Sequence, residues 1–179
     1  MASRVAIDRI SLVALVIAAV LFLAVADGHA QDSDMGPDTL RETYGDWTVE
    51  CGEIEGAGRI CRMAQILSKE GAKRPVLSVF IRAAAGEAAA QITFNAPLGI
   101  SLPQGVSVSV ADKKIVEAGF LVCHASGCLA RAGLKDEAIQ AFKAGNEAVT
   151  RLSALNGQEI GISVSLKGFS AAWTRLKGL

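Results

Sequence analysis

The residues of this chain with the clearest chemistry are four cysteines, Cys51, Cys61, Cys123 and Cys128, and the histidine that follows the third of them. Zinc knuckles and redox motifs need Cys-x-x-Cys spacing, which neither neighbouring pair has. An even number of cysteines in an exported chain indicates disulfide bonds. Four cysteines allow three pairings, and we predict the two local ones, Cys51–Cys61 and Cys123–Cys128.

His124 is the side chain from which catalysis would have to be built, because histidine is the commonest general base and metal ligand. The sequence contains no Gly-x-Ser-x-Gly motif, no phosphate-binding glycine-rich motif and no metal-ligand spacing of Asp, Glu and His. A surface imidazole beside a tight turn is the simpler interpretation. We therefore predict no enzyme activity, no catalytic residue, no metal site and no cofactor. The alternative is an envelope-modifying hydrolase that uses His124.

The N-terminus indicates export. Arg4 and Arg9 precede the uncharged stretch Ile10–Val25, and small residues follow up to Ala30. This is the layout of a signal peptide, with cleavage after Ala30 or, as the alternative, after Ala26. The apolar stretch is shorter than the roughly 20 residues of a spanning helix, which argues against an uncleaved anchor. We predict a signal peptide over 1–30 and periplasmic residence, with outer-membrane association or secretion as alternatives.

Charge excludes one class of partner. The chain has 18 basic and 18 acidic residues, and the predicted signal peptide removes two of each sign. A chain of zero net charge without a basic run lacks the electrostatic footprint of a nucleic-acid-binding protein. No second apolar stretch is long enough to cross a bilayer. The expected partner is a protein or another envelope component, and the oligomeric state stays open.

Hydrophobic alternation predicts a β-rich chain. We predict a flexible leader over 31–43 and one disulfide-bonded domain over 44–179, because the polar stretch with Gly36 and Pro37 gives way to alternating residues near Tyr44. Gly52–Gly58 is predicted to be a hairpin loop, Lys69–Arg74 a charged turn and Ala83–Ala90 a loop. The predicted strands are 47–51, 60–67, 75–83, 91–95, 106–110, 115–117, 120–124, 129–132, 148–155 and 159–166.

Helical spacing occurs once with clarity, over 134–144, and one or two closing helical turns are predicted over 168–176. Asn156-Gly157 predicts a two-residue hairpin turn. Many short strands with turn signals and one helix favour a mainly β fold. We predict a single-domain two-layer β-sandwich or barrel-like fold with one short α-helix.

An ordered set of residues resembles the invasion associated locus B family of Gram-negative bacteria, from about Tyr44 to Leu176. The set comprises Trp47-x-x-x-Cys51, Cys61-x-x-x-Gln65, Pro97-Leu98-Gly99, Gly105-Val106, Cys123 with Gly127-Cys128, and Gly168-Phe169 with Ala172. The resemblance implies an exported protein, periplasmic or associated with the outer membrane. The family name records a link to host-cell invasion, and no catalytic or ligand residues carry over.

These observations predict a non-enzymatic interaction or host-association protein of the envelope. The loops Gly52–Gly58 and Lys69–Arg74 are the predicted contact sites, because loops on a rigid scaffold carry recognition. The binding residues are otherwise unknown from the sequence. A small-ligand-binding periplasmic protein is the alternative, and it would require a buried cavity of a few hundred cubic ångströms between the β layers, a size typical of ligand sites.

Overall fold

A computed structural model describes residues 39–83 and 90–179, and over these residues the chain is mainly β, as predicted. Ten strands and two helices follow one another, with a 3₁₀ turn at Leu102–Gln104. The elements are β1 Thr39–Tyr44, β2 Trp47–Ile54, β3 Gly58–Leu67, β4 Leu77–Ala83, β5 Ala90–Ala96, β6 Val106–Val110, β7 Lys113–His124, β8 Gly127–Leu134, α1 Asp136–Ala144, β9 Glu147–Ser153, β10 Glu159–Ser165 and α2 Phe169–Lys177.

The strands form one open antiparallel sheet in the order β1-β2-β3-β4-β5-β8-β7-β6-β9-β10. The long strand β7 joins its two halves. Its first residues pair with β6, and its residues from Gly119 to His124 pair with β8, with a register shift within that pairing between Phe120 and Val122. A bulge of this kind bends a strand, so one sheet can fold over into two layers.

The two layers share one hydrophobic core. Val79 and Phe94 from one half and Val108 and Val164 from the other line the same small void. Residues on both halves alternate between fully buried and half-buried along their strands, as expected of strands with one face on the core. The two-layer arrangement expected from the alternation therefore arises from a single curled sheet.

The start of the ordered chain differs from the sequence prediction. β1 begins at Thr39, within the segment predicted to be a flexible leader over 31–43. Its residues are polar, and their order comes from complete pairing with β2, from Thr39 opposite Gly52 to Tyr44 opposite Trp47. An edge strand needs few apolar residues when only one face meets the core. The rest of the predicted leader, the signal peptide and most of the Ala83–Ala90 loop lie outside the described residues.

Both helices cover the sheet. α1 begins two residues later than the predicted 134–144 and buries Ala138, Ile139 and Phe142. α2 extends the predicted closing turns to nine residues. The ring of Phe169 in α2 meets that of Trp47 edge to face, with centroids 5.4 Å apart, and that of Phe142 at 5.2 Å. This aromatic cluster joins the two helices to the start of β2.

Hydrogen bonds join Ser165, the last residue of β10, to side chains of β2 and β3. The carbonyl of Ser165 accepts hydrogen bonds from the Trp47 indole, at 2.9 Å, and from the Gln65 side-chain amide, at 2.9 Å. The Ser165 amide donates to Gln65 Oε1 at 3.0 Å. Gln65 is 7% exposed, so these bonds satisfy a buried polar side chain that would otherwise be costly. They join the last strand to β2 and β3.

Two disulfide bonds each join directly opposite residues of a hairpin. Cys51 in β2 is bonded to Cys61 in β3, and Cys123 in β7 is bonded to Cys128 in β8. These are the two local pairings. Each bond therefore fixes the register of the hairpin that contains it.

One buried side chain, that of Thr150, is expected to lower the stability of the fold. Thr150 is fully buried and its hydroxyl has no hydrogen-bond partner among the described residues. Because an unpaired buried hydroxyl costs free energy, Thr150→Val should raise the free energy of unfolding by about 1–2 kcal/mol. Thr150→Ser keeps the hydroxyl and loses a methyl group, and should lower it. Urea denaturation of the two variants checks this, and a loss of stability in Thr150→Val would show that the hydroxyl has a partner.

Candidate functional site

An open groove of about 600 Å³ lies across β1–β4. We call it the arginine groove, and it is lined by Thr39, Leu40, Arg41, Glu50, Cys51, Gly52, Ile54, Ile60, Arg62 and Arg82. Its floor is sheet, and the Cys51–Cys61 bond staples two of its strands. A surface built on paired strands and a disulfide is held more rigidly than one built on loops.

The sheet register brings the charges of the groove into one row. Arg41 lies opposite Glu50, and Glu50 lies opposite Arg62. Directly opposite residues of an antiparallel pair project to the same face, so these three side chains are neighbours. Arg82, on the next strand, completes the row. The groove therefore carries three guanidinium groups and one carboxylate.

Glu50 is shared between two of the arginines. Its Oε1 lies 2.6 Å from both Nε and Nη2 of Arg62, and its Oε2 lies 3.9 Å from Nη1 of Arg41. The Arg41 side chain is 72% exposed and that of Arg62 is 45% exposed. Exposed ion pairs of this kind contribute little stability, about 0–1 kcal/mol. The stability of the fold therefore does not account for this row.

An aromatic ring orients the central guanidinium. The Arg62 Cζ lies 4.2 Å from the centroid of the Phe80 ring, and Phe80 is half-buried on the neighbouring strand β4. A cation over an aromatic face is attracted by the ring quadrupole. One face of the Arg62 guanidinium is thus covered, and its in-plane N–H groups are left for acceptors such as Glu50.

A second charged cluster joins β1 to α2. Arg175 donates to both carboxylate oxygens of Glu42, with Nε–Oε2 2.7 Å and Nη2–Oε1 3.1 Å, and the Tyr44 hydroxyl donates to Oε2 at 2.8 Å. The Arg175 hydrogen bonds, followed by that of Tyr44, lower the pKa of Glu42. The same carboxylate raises the pKa of Tyr44 and of Arg175. This cluster attaches the closing helix to the edge strand.

The pKa of Glu42 predicts a pH-dependent contribution to stability. Because it is lower in the folded than in the unfolded chain, the contribution is complete above the unfolded value and is lost as pH falls through the folded value. Glu42→Gln should therefore unfold at lower urea concentration than the wild type at pH 7, and this difference should shrink at pH 3. Glu159→Gln, whose carboxylate pairs with Arg151 on the exposed surface, is the control and should change little. A difference of equal size at both pH values would contradict this assignment.

Of the sequence-predicted sites, the Lys69–Arg74 turn reaches the residue that follows His124, whereas Gly52–Gly58 lies at the opposite end of β3. His124 is exposed at the end of β7 beside the Cys123–Cys128 bond, and its imidazole takes part in none of the side-chain hydrogen bonds described. Gly52–Gly58 spans the end of β2 and the turn before β3, and its first residues line the arginine groove. Lys69–Arg74 follows the other end of β3, where Arg74 donates to the Ala125 carbonyl at 2.8 Å.

Sequence reasoning missed the arginine groove, although part of its signal was present. Facing Cys51 and Cys61 across a hairpin necessarily sets Glu50 opposite Arg62, because each residue lies one position outside its cysteine. The contribution of Arg82 had no such signal, since it depends on the pairing of β3 with β4.

The interior offers a void of only about 10 Å³, which is close to the least that one water molecule needs. Its lining is apolar except for Thr150, so a water there would lack partners. The buried cavity of a few hundred cubic ångströms that a small-ligand carrier would require is not formed by the described residues.

Residues 39–83 and 90–179 contain neither a metal-ligand cluster nor a helix that could span a membrane. Within these ranges, no three Cys, His, Asp or Glu side chains converge as metal ligands would. Neither helix in them has the length and apolar character needed to cross a membrane.

Fold and site together define a small, disulfide-bonded, single-sheet β protein with a charged groove on the outside of the sheet. Residues 47–177 match the family described as invasion associated locus B (IalB) protein. The chain belongs to this family, which confirms the resemblance seen in the sequence.

Relatives and a solved structure agree with this assignment. The chain is 32% identical over 145 residues to an invasion protein B homologue of Brucella abortus strain 2308, covering 80% of this chain and 83% of that protein. It is 29% identical over 148 residues to invasion protein B of Bartonella bacilliformis, covering 80% and 78%. The crystal structure of invasion associated protein b from Bartonella henselae superposes with a TM-score of 0.68 at 25% identity, covering 78% of this chain and 95% of that one.

Proposed function

We propose that this protein is a non-enzymatic interaction module of the bacterial envelope, exported by the leader over 1–30 into the periplasm. It binds its partner through the arginine groove. One observation carries the proposal: Arg41, Arg62 and Arg82 line a single open groove whose strands are stapled by a disulfide. Arginine is enriched where proteins recognise partners, because it combines charge, a planar fork of donors and an apolar stem.

Family membership supports an envelope or host-association role. The relatives are named as invasion proteins of Brucella and Bartonella, and such a role requires a surface that meets other molecules. The groove is such a surface, and it includes the start of the loop Gly52–Gly58 that the sequence marks as a contact site. The disulfide-held strands present it in a fixed shape, which reduces the entropy lost on binding.

A photo-crosslinking experiment in living cells tests the proposal. Position 52 lies in the groove, and a Cβ added there meets nothing within 4 Å, so a crosslinking amino acid fits. Position 163, exposed on β10, is the matched control. We expect a discrete adduct in the periplasmic or outer-membrane fraction from position 52 and none from position 163. Equal adducts at both positions, or none at position 52 in folded exported protein, would refute the proposal.

Neither alternative is favoured by an observation of comparable weight. The internal void of about 10 Å³ gives a small-ligand carrier no room. A hydrolase built on His124 would need a second group to orient or activate the imidazole, and the described hydrogen bonds include none. A measured turnover that His124→Ala abolishes would revive the enzyme alternative.

A further inference from the structure

We infer that the arginine groove recognises a saccharide chain bearing several sulfate or phosphate groups; this inference rests on the proposed function and names the chemistry of the partner. The first step is charge. Every basic residue that lines the groove is arginine, and three guanidinium groups face a single carboxylate. The groove is therefore locally positive in a chain whose overall charge is zero.

The second step is the geometry of the donors. A guanidinium presents parallel N–H groups that match two oxygens of a sulfate or phosphate, whereas a lysine ammonium acts as a point charge. In Arg62 both Nε and Nη2 converge on the single oxygen Oε1 of Glu50, so the paired donors are not matched by two acceptor oxygens. A tetrahedral oxyanion offers two acceptor oxygens, one for each of these nitrogens, so it can take the place of the Glu50 carboxylate.

The third step is the spacing of the charges. Arg41, Glu50, Arg62 and Arg82 lie on four successive strands of the sheet. Neighbouring strands are about 4.8 Å apart, so the row extends over about 14 Å. One phosphate cannot contact both ends of such a row. A chain with repeated anionic groups can, and the row crosses the strands in one direction.

The fourth step separates a saccharide chain from a membrane surface. Arg62 is stacked on Phe80, and Ile54 and Ile60, which project to the same face of the sheet as Arg62, provide apolar walls against which the C–H faces of sugar rings can pack. Insertion into a bilayer would instead need protruding apolar side chains around the basic row. Two such side chains of the described residues lie on this face, Ile54 at 52% and Ile66 at 56% exposure, and the most exposed leucines, Leu121 and Leu155, lie on β7 and on the turn between β9 and β10.

Glu50 has a specific role in this account. Its carboxylate occupies Arg62 and Arg41 when no partner is bound, so it competes with an incoming anion. Removing its charge frees both guanidinium groups without adding a contact. Glu50→Gln should therefore tighten binding, whereas loss of an arginine from the row should weaken it. Opposite effects of two groove substitutions separate recognition at this site from a general loss of structure.

The test is isothermal titration of the full mature protein with a sulfated hexasaccharide prepared from heparin. We expect Arg82→Gln to weaken binding about tenfold, as loss of a charged hydrogen bond would. Glu50→Gln should tighten it about threefold. Arg151→Gln is the matched control, because it removes the same charge from β9, where Arg151 pairs with Glu159 at 3.3 Å, and binding should not change. Thermal unfolding of each variant checks that the fold is kept.

Three outcomes would overturn the inference. The first is equal binding of the chemically desulfated hexasaccharide. The second is an equal effect of Arg151→Gln and Arg82→Gln, which would show that net charge alone matters. The third is binding only to vesicles of phosphatidylcholine and phosphatidylglycerol. Any of these would leave the proposed function standing if position 52 still crosslinks to a partner in cells, whereas loss of that crosslink would remove the proposed function itself.

Discussion

Replacing Gly168 by alanine is expected to destabilise the protein by about 3 kcal/mol or more, because the residue is left-handed and enclosed by backbone. Its φ is +85°, and an added Cβ would lie 2.0 Å from the Tyr44 carbonyl oxygen and 2.9 Å from the Gly45 nitrogen. Neither neighbour is a side chain that could rotate away. The N-terminal edge and the closing helix would have to separate, so we expect a large fall in the free energy of unfolding measured by urea denaturation.

Gly157→Ala provides the matched control for this prediction. Gly157 also has a positive φ, +82°, but a Cβ there would meet nothing within 4 Å. The Gly157→Ala substitution should lower the free energy of unfolding only by the conformational strain of the left-handed backbone, about 1 kcal/mol. Equal losses in the two variants would show that the close approach of Gly168 to Tyr44 does not matter.

Removing both disulfides is the second change expected to have a large effect. The bonds close loops with sequence separations of 10 and 5 residues, worth about 3 and about 2 kcal/mol in the chain-entropy model. A domain of this size is stable by about 5–15 kcal/mol, so losing both removes at least a third of its stability. We expect the quadruple Cys→Ala variant to unfold at much lower urea concentration than the wild type.

The two pairs should also be distinguishable. Cys51→Ala with Cys61→Ala should cost more than Cys123→Ala with Cys128→Ala, because it opens the longer loop. Dithiothreitol should destabilise the wild type and leave the quadruple variant unchanged, which separates loss of the bonds from loss of packing. If dithiothreitol left the urea denaturation of the wild type unchanged, even after incubation with the unfolded protein, that result would contradict the presence of these bonds.

Local patterns were enough to predict much of the scaffold. The strict alternation of Val106–Val110 and of Glu159–Leu166 predicted two strands, and the structure contains them over Val106–Val110 and Glu159–Ser165. The prediction of one helix over 134–144 was close, since its buried face repeats at helical spacing. The sequence patterns did not predict β1, because Thr39–Tyr44 lies at the sheet edge and its polar residues alternate without an apolar face.

The candidate site depends on long-range pairing, which local patterns do not contain. The facing of Glu50 and Arg62 follows from the cysteine hairpin, but the nearness of Arg82 follows from the order of strands in the sheet. Strand order is set by the burial of whole faces rather than by any short segment. Arg62 over Phe80 is a contact of the same long-range kind.

The bonds that Ser165 makes with the start of the sheet bear on how the chain is built. The ribosome adds Trp47 118 residues, and Gln65 100 residues, before it adds Ser165, whose carbonyl accepts both hydrogen bonds. Until Ser165 has been made, the early hairpins lack these hydrogen bonds, and a polypeptide truncated before Ser165 never acquires them. Native closure of the sheet is therefore a late event, which has to wait for the synthesis of β10.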